Sequence, residues 1–147
     1  MAEKISKRIT LSVIMITLAG QLAWGVENQF FNVFMYNVIA PIPMFISIMV
    51  AASAITATIT SIVMGALSDI KGKRKTFIII GFVFWTITTA IFPLSGLLTP
   101  YNVILAVILA ILFDCVMTFF GSTAYDANFN AYVTDITTYL MEKMKNM

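Results

Sequence analysis

The chain is 147 residues long, 60% hydrophobic and 11% charged, whereas soluble domains run about 45–50% and 25%, so a soluble globule is excluded. Nine basic against seven acidic residues give a formal +2, and the bases stand in short clusters beside apolar stretches, which excludes the basic surface of a nucleic-acid binder. With no His and a single Cys, Cys115, the usual ligands and nucleophile–base pairs of metal centres and triads are missing and no disulfide closes within the chain; neither an enzyme nor a bound cofactor is expected.

Residues 9–26, 28–68 and 76–113 carry no charge, runs of 18, 41 and 38 positions, while roughly 20 helical residues cross a bilayer core. The chain therefore reads as an all-α integral membrane protein. Lys4, Lys7 and Arg8 followed by apolar residues have the outline of a signal peptide, but no small-residue cleavage site comes before Gln21, Glu27 and Asn28, so the segment reads as a retained first helix, near 9–36. At about 100° per residue, Gln21, Trp24, Gly25, Asn28 and Asn32 share one sector of this helix, with Glu27 and Gln29 on its flanks. A carboxylate inside a span costs several kcal/mol, about 3, and is a functional candidate by default. Either the stripe holds helices together by hydrogen bonds, or it lines a substrate or ion path, in which Trp24 grips a sugar or an organic cation; the alternative for Trp24 is packing.

Pro41 and Pro43 break the second uncharged run, because proline removes a helix donor. The second span, near 44–67, is rich in small and hydroxyl residues such as Ser53, Thr56, Thr60 and Ser61, which permit close helix approach in a membrane. The polar segment 68–75 is too charged for hydrocarbon. A third span lies near 76–96, and Thr99-Pro100 reads as the N-cap and first position of the fourth, near 101–134. On that helix Asp114, Thr118, Gly121, Tyr125, Asn128 and Tyr132 recur every three or four positions, one helical face, with Ser122, Asp126 and Asn130 in a parallel row. Asp114 and Asp126 are read as members of the path, against a packed, hydrogen-bonded acid for the first and a helix-end carboxylate in water for the second. Cys115 reads as a small apolar filler. Residues 138–147 read as a short cytoplasmic tail after a four-helix portion over 1–137.

With these spans all nine basic residues fall on one side: Lys4, Lys7 and Arg8, the cluster Lys71, Lys73, Arg74 and Lys75, and Lys143 with Lys145. Both termini are then cytoplasmic in a multi-pass protein of the plasma membrane.

The loop Gly65-Ala66-Leu67-Ser68-Asp69-Ile70-Lys71-Gly72-Lys73-Arg74-Lys75 combines a close-contact Gly65, a pairing or capping Asp69, a turn at Gly72 and basic residues that hold it in the cytoplasm. It resembles the signature loop of the major facilitator superfamily, with Ile70 where that family usually has a base. The run Asp126-Ala127-Asn128-Phe129-Asn130-Ala131-Tyr132-Val133-Thr134-Asp135-Ile136-Thr137 is similar to the end of the fourth helix in the glycoside–pentoside–hexuronide cation symporters, the melibiose-carrier type. The resemblance implies a partial major facilitator fold, with alternating access about a midplane site between two six-helix halves. It implies a conformational latch built on Asp69, in the loop of Gly65, Gly72, Lys73 and Arg74. It further implies cation-coupled symport of a sugar or glycoside, with Asp126 joining cation and sugar sites. Span two here lacks the acids that those symporters add, so the coupling ion is expected to be H+, carried by Glu27, Asp114 or Asp126, or Na+ at Asp126.

The expected site is therefore Gln21, Trp24, Glu27, Asn28, Asp114, Asp126 and Asn130, and the expected partners are the lipid bilayer, a small solute and the missing C-terminal helices or a second polypeptide. As four of twelve helices the chain is expected not to transport alone. Two other classes fit four spans: a self-standing dimeric, proton-coupled small multidrug exporter, and a non-transporting membrane subunit.

Overall fold

The computed structural model describes the backbone of residues 7–145 and the side chains of 9–139, 141 and 142. Lys4 and the side chains of Lys7, Arg8, Lys143 and Lys145, part of the expected charge asymmetry, lie outside the described residues. The described residues are all helical or in short links. Four helices are long and apolar enough to cross a membrane: Ile9–Ile39, Pro43–Lys71, Arg74–Leu98 and Val103–Tyr139.

The first span is composite. Helix α1 (Lys7–Val26) passes into a π-helical segment, Glu27–Phe31, then α2 (Asn32–Phe34), then a second π segment, Met35–Ile39. The chain leaves it at Ala40, which is extended (φ −157°, ψ 128°), and α3 (Pro43–Lys71) opens with its proline in the first turn, where the absent N–H is not needed. Helix α3 runs past its apolar window and stops at Gly72, whose φ of +61° is the left-handed conformation that glycine adopts without strain. Only Gly72 and Lys73 separate it from α4 (Arg74–Ile91), which tightens into a 3-10 segment, Phe92–Leu98.

The fourth helix does not begin where Thr99 and Pro100 suggest. The N–H groups of Tyr101 and Asn102 both bond to the carbonyl of Leu98, at 3.0 and 2.9 Å, and this tight turn carries Thr99 and Pro100 outside the helix. Asn102 is the first extended residue (φ −159°, ψ 105°), and its side chain accepts from the N–H of Leu105 at 3.0 Å, so Asn102 is the N-cap. Helix α5 (Val103–Gly121) then continues through a π segment, Ser122–Phe129, into α6 (Asn130–Lys145). Positions 138–145, expected as a tail, are the last turns of this helix.

Span four is the centre of the assembly. Its most apolar window is 33% buried, against 6% for that of span one, and α5 with its π segment packs on both α3 and α4. Glycine makes the closest approach possible: a Cβ on Gly81 of α4 would stand 2.7 Å from the Cβ of Ala124, inside van der Waals contact. The core is aromatic where the first and third spans meet, with Phe31 stacked on Phe92 at 3.7 Å between ring centroids and Trp24 tilted against Trp85 at 5.1 Å.

Candidate functional site

The π segments decide which side chains join the first span's acid on its inward side. Successive positions four apart on an α-helix drift by about 40°, so Glu27, Phe31, Met35 and Ile39 would spread around an unbroken α-helix. A π turn takes an extra residue and reverses that drift. All four are buried here, Met35 completely. Glu27, on the flank of the expected stripe, therefore belongs to the inward face, 7% exposed.

There its Oε1 accepts a hydrogen bond from Thr118 Oγ1 at 3.0 Å, across the contact between spans one and four. Thr118 is itself buried. The second carboxyl oxygen, Oε2, is buried with no hydrogen-bond partner among the described residues. An unpartnered oxygen on a buried acid costs about 1–3 kcal/mol, a cost that a further donor at Oε2 would offset.

Span four supplies the remaining acids. Asp114, Thr118, Gly121, Tyr125 and Asn128 are all buried and Tyr132 is half-buried, so the expected face is the one the helix turns to its neighbours. The Asp114 carboxyl lies beside Ser53 of α3, and Asp126, half-buried in the π segment, lies beside Ser122. Glu27 is within electrostatic reach of both aspartates. Asn130 is exposed and joins none of them. Among the described residues no group of three or more Asp, Glu or Cys side chains converges closely enough to hold a metal ion.

The rest of the stripe looks outward. Gln21, Gly25, Asn28 and Gln29 are exposed, and Trp24 and Asn32 are half-buried. Asn28 Nδ2 donates to the Trp24 carbonyl and Asn32 Nδ2 to the Asn28 carbonyl, both at 2.8 Å, while Gln21 Nε2 donates to the Tyr125 hydroxyl at 3.1 Å. These amides are not spent on holding the four helices together, apart from Gln21. They face whatever lies against this side of span one.

At the other end of the helices, the turn between α3 and α4 is fastened to span four by one side chain. Arg74 donates from Nε and Nη2 to Asp69 Oδ1, at 3.0 and 2.6 Å, and from Nη1 to Asp135 Oδ2. A planar fork suits two carboxylates at once. Asp69 thus pairs locally instead of capping α4. Lys73 is exposed, and Gly65 stands opposite Ala127 with room for ordinary contact.

Three participants were not singled out from the sequence. Thr118 was one member of a polar row, with nothing to match it to Glu27, 91 positions earlier. Asp135 had a signal, since a cluster of four bases beside the single acid Asp69 calls for a second carboxylate nearby. Trp85, buried with its indole N–H unpartnered, follows the apolar Phe82-Val83-Phe84 and precedes three threonines within four positions, a setting that does not mark it. Comparisons with protein-family models, with curated proteins and with solved structures found no match.

Proposed function

We propose that this chain is the N-terminal four-helix portion of a cation-coupled secondary transporter of the major facilitator type, and that it moves a small polar solute, a sugar or glycoside, by alternating access together with helices supplied in cis or by a second polypeptide. The observation that carries the reading is the Glu27–Thr118 contact. A carboxylate enclosed between two membrane-spanning helices, with one oxygen satisfied by a hydroxyl and the other free, is a functional candidate whose charge both helices would feel. A single carboxylate with one hydroxyl partner suits H+ better than Na+, which asks for several oxygens. Asp114 and Asp126 on the same helix would extend the route.

The outward amides complete the argument. Gln21 and Asn28 with half-buried Trp24 form a polar and aromatic patch, the kind of surface that orients a polyol between hydrogen bonds and a ring face, and lipid would be a poor solvent for it. In this reading the patch faces the solute and the remaining helices across it, and the loop of Asp69, Gly72 and Arg74 is the latch on the cytoplasmic side.

The test is uptake of a panel of labelled sugars and glycosides into vesicles, with H+ or Na+ gradients imposed in turn. We expect gradient-driven uptake only when further helices accompany the chain, and loss of the gradient dependence in Glu27→Gln. Proton-driven efflux of lipophilic cations by the four-helix chain alone would instead identify an exporter, and Glu27→Gln with wild-type coupling would remove Glu27 from the cation path.

A further inference from the structure

A cavity of about 450 Å3 opens where the α3–α4 turn meets α6, lined by Ser68, Gly72, Lys73, Lys75 and Tyr132 together with the Asp69–Arg74–Asp135 bridge. It is of headgroup size, since small-ligand clefts start near 300 Å3. Its charge is unbalanced. Both ion pairs among the described residues use Arg74, which consumes the two acids of the cavity and leaves the lysines with none. Lys75 Nζ stands 5.7 Å from the centroid of the Tyr132 ring and Lys71 Nζ 6.0 Å from that of Phe77. Aromatic faces hold an ammonium in position without neutralising it, so positive charge is kept at the rim of a polar hollow.

We propose that this cavity binds the phosphate of an anionic phospholipid. A phosphate is the compact anion that the ammonium donors of Lys73 and Lys75 suit, and membrane apposition selects the lipid as its source. Ile70, one residue from the lysine cluster, is 84% exposed, and Ile62, Val63 and Ile79 continue an exposed apolar surface along α3 and α4, where acyl chains would lie below the headgroup. Basic pockets between spans are the usual receptors of such headgroups. The inference does not depend on what the protein transports.

Native mass spectrometry of the purified chain in detergent micelles, with added phosphatidylglycerol or phosphatidylcholine, reads the site directly. Phosphatidylglycerol is expected to remain bound in preference to phosphatidylcholine, to survive excess inorganic phosphate, and to be retained about thirtyfold less well by Lys73→Gln/Lys75→Gln. Lys73→Arg/Lys75→Arg keeps the charge and should keep the lipid, and Lys143→Gln/Lys145→Gln, which removes equal charge elsewhere in the sequence, should leave retention unchanged. Circular dichroism establishes that each variant is folded. Equal retention of both lipids, or an equal loss in the Lys143/Lys145 variant, overturns the site; displacement by inorganic phosphate overturns the lipid as its ligand.

Discussion

Replacing Thr118 by Val tests the Glu27 contact with little change of shape. Thr118 is 1% exposed and Glu27 7%, so no water replaces the hydroxyl that is removed. Glu27 Oε1 would lose its 3.0 Å donor when Oε2 already has none. Leaving a buried acceptor unpaired costs about 1–3 kcal/mol, while side-chain hydrogen bonds between membrane helices average about 0.6 and reach about 1.7 kcal/mol; Thr118→Val should therefore destabilise the bundle by about 1–2 kcal/mol. Glu27→Leu removes the acid itself and should be close to neutral, because an apolar residue of similar volume has nothing to satisfy and the Thr118 hydroxyl turns to a carbonyl of its own helix. In the Glu27→Leu background, Thr118→Val should then cost no more than a few tenths of a kcal/mol, about 0.3. Reversible unfolding of the four proteins in mixed micelles, followed by circular dichroism, measures the cycle. Strict additivity, or an unaltered midpoint for Thr118→Val alone, refutes the reasoning.

Gly81→Ala places a methyl 2.7 Å from the Cβ of Ala124 and 3.1 Å from its backbone; overpacking against backbone should cost about 1–3 kcal/mol, read as a lowered thermal midpoint, with Gly25→Ala, where nothing lies within 4 Å, as the harmless comparison. Asn102→Ala removes the cap of the fourth helix and should cost about 1 kcal/mol, whereas Thr99→Ala should cost less; the reverse order in the same assay would return the cap to Thr99. Arg74→Gln breaks both carboxylate pairs, which are partly solvated, so its effect on stability should stay below about 1 kcal/mol and shrink further in salt, as chemical denaturation at two ionic strengths would show.

Much of the architecture is legible in the order of residues. Charge-free runs and the prolines at 41 and 43 mark four spans, since both features act locally and cheaply on a helix in lipid. Each span extends a few residues further than its apolar stretch because a helix ends at a stop signal and not where hydropathy changes: α3 carries Ser68 to Lys71 until Gly72 turns it. The row from Asp114 to Tyr132 is legible for the same reason, a period of three and four that the helix turns to its neighbours. What is hidden depends on departures from that period. A wheel drawn at 100° puts Glu27 on the flank of the stripe of Gln21 and Asn28 and scatters Phe31, Met35 and Ile39, whereas the π segments at Glu27–Phe31 and Met35–Ile39 gather those three with the acid on the inward side and leave the amides outward. The one available clue is the apolar trio Phe31, Met35 and Ile39 in steps of four after Glu27, a spacing that only a locally widened helix keeps on one side. The cap at Asn102 is hidden by competition, because Thr99-Pro100 has the better local signature but its backbone is already committed to the turn at Gly96 and Leu98.

The central claim is that the outward amides of span one meet water and partner helices, not lipid. Its most direct test is the reaction of a membrane-impermeant thiol reagent with Gln21→Cys and Asn28→Cys in membranes containing the chain with whatever helices accompany it, in a Cys115→Ala background, against Leu18→Cys and Leu22→Cys, exposed apolar positions of the same helix. The account predicts modification at 21 and 28 and none at 18 and 22. Equal silence at all four positions would mean that the stripe lies in hydrocarbon, and the transport path would have to be abandoned.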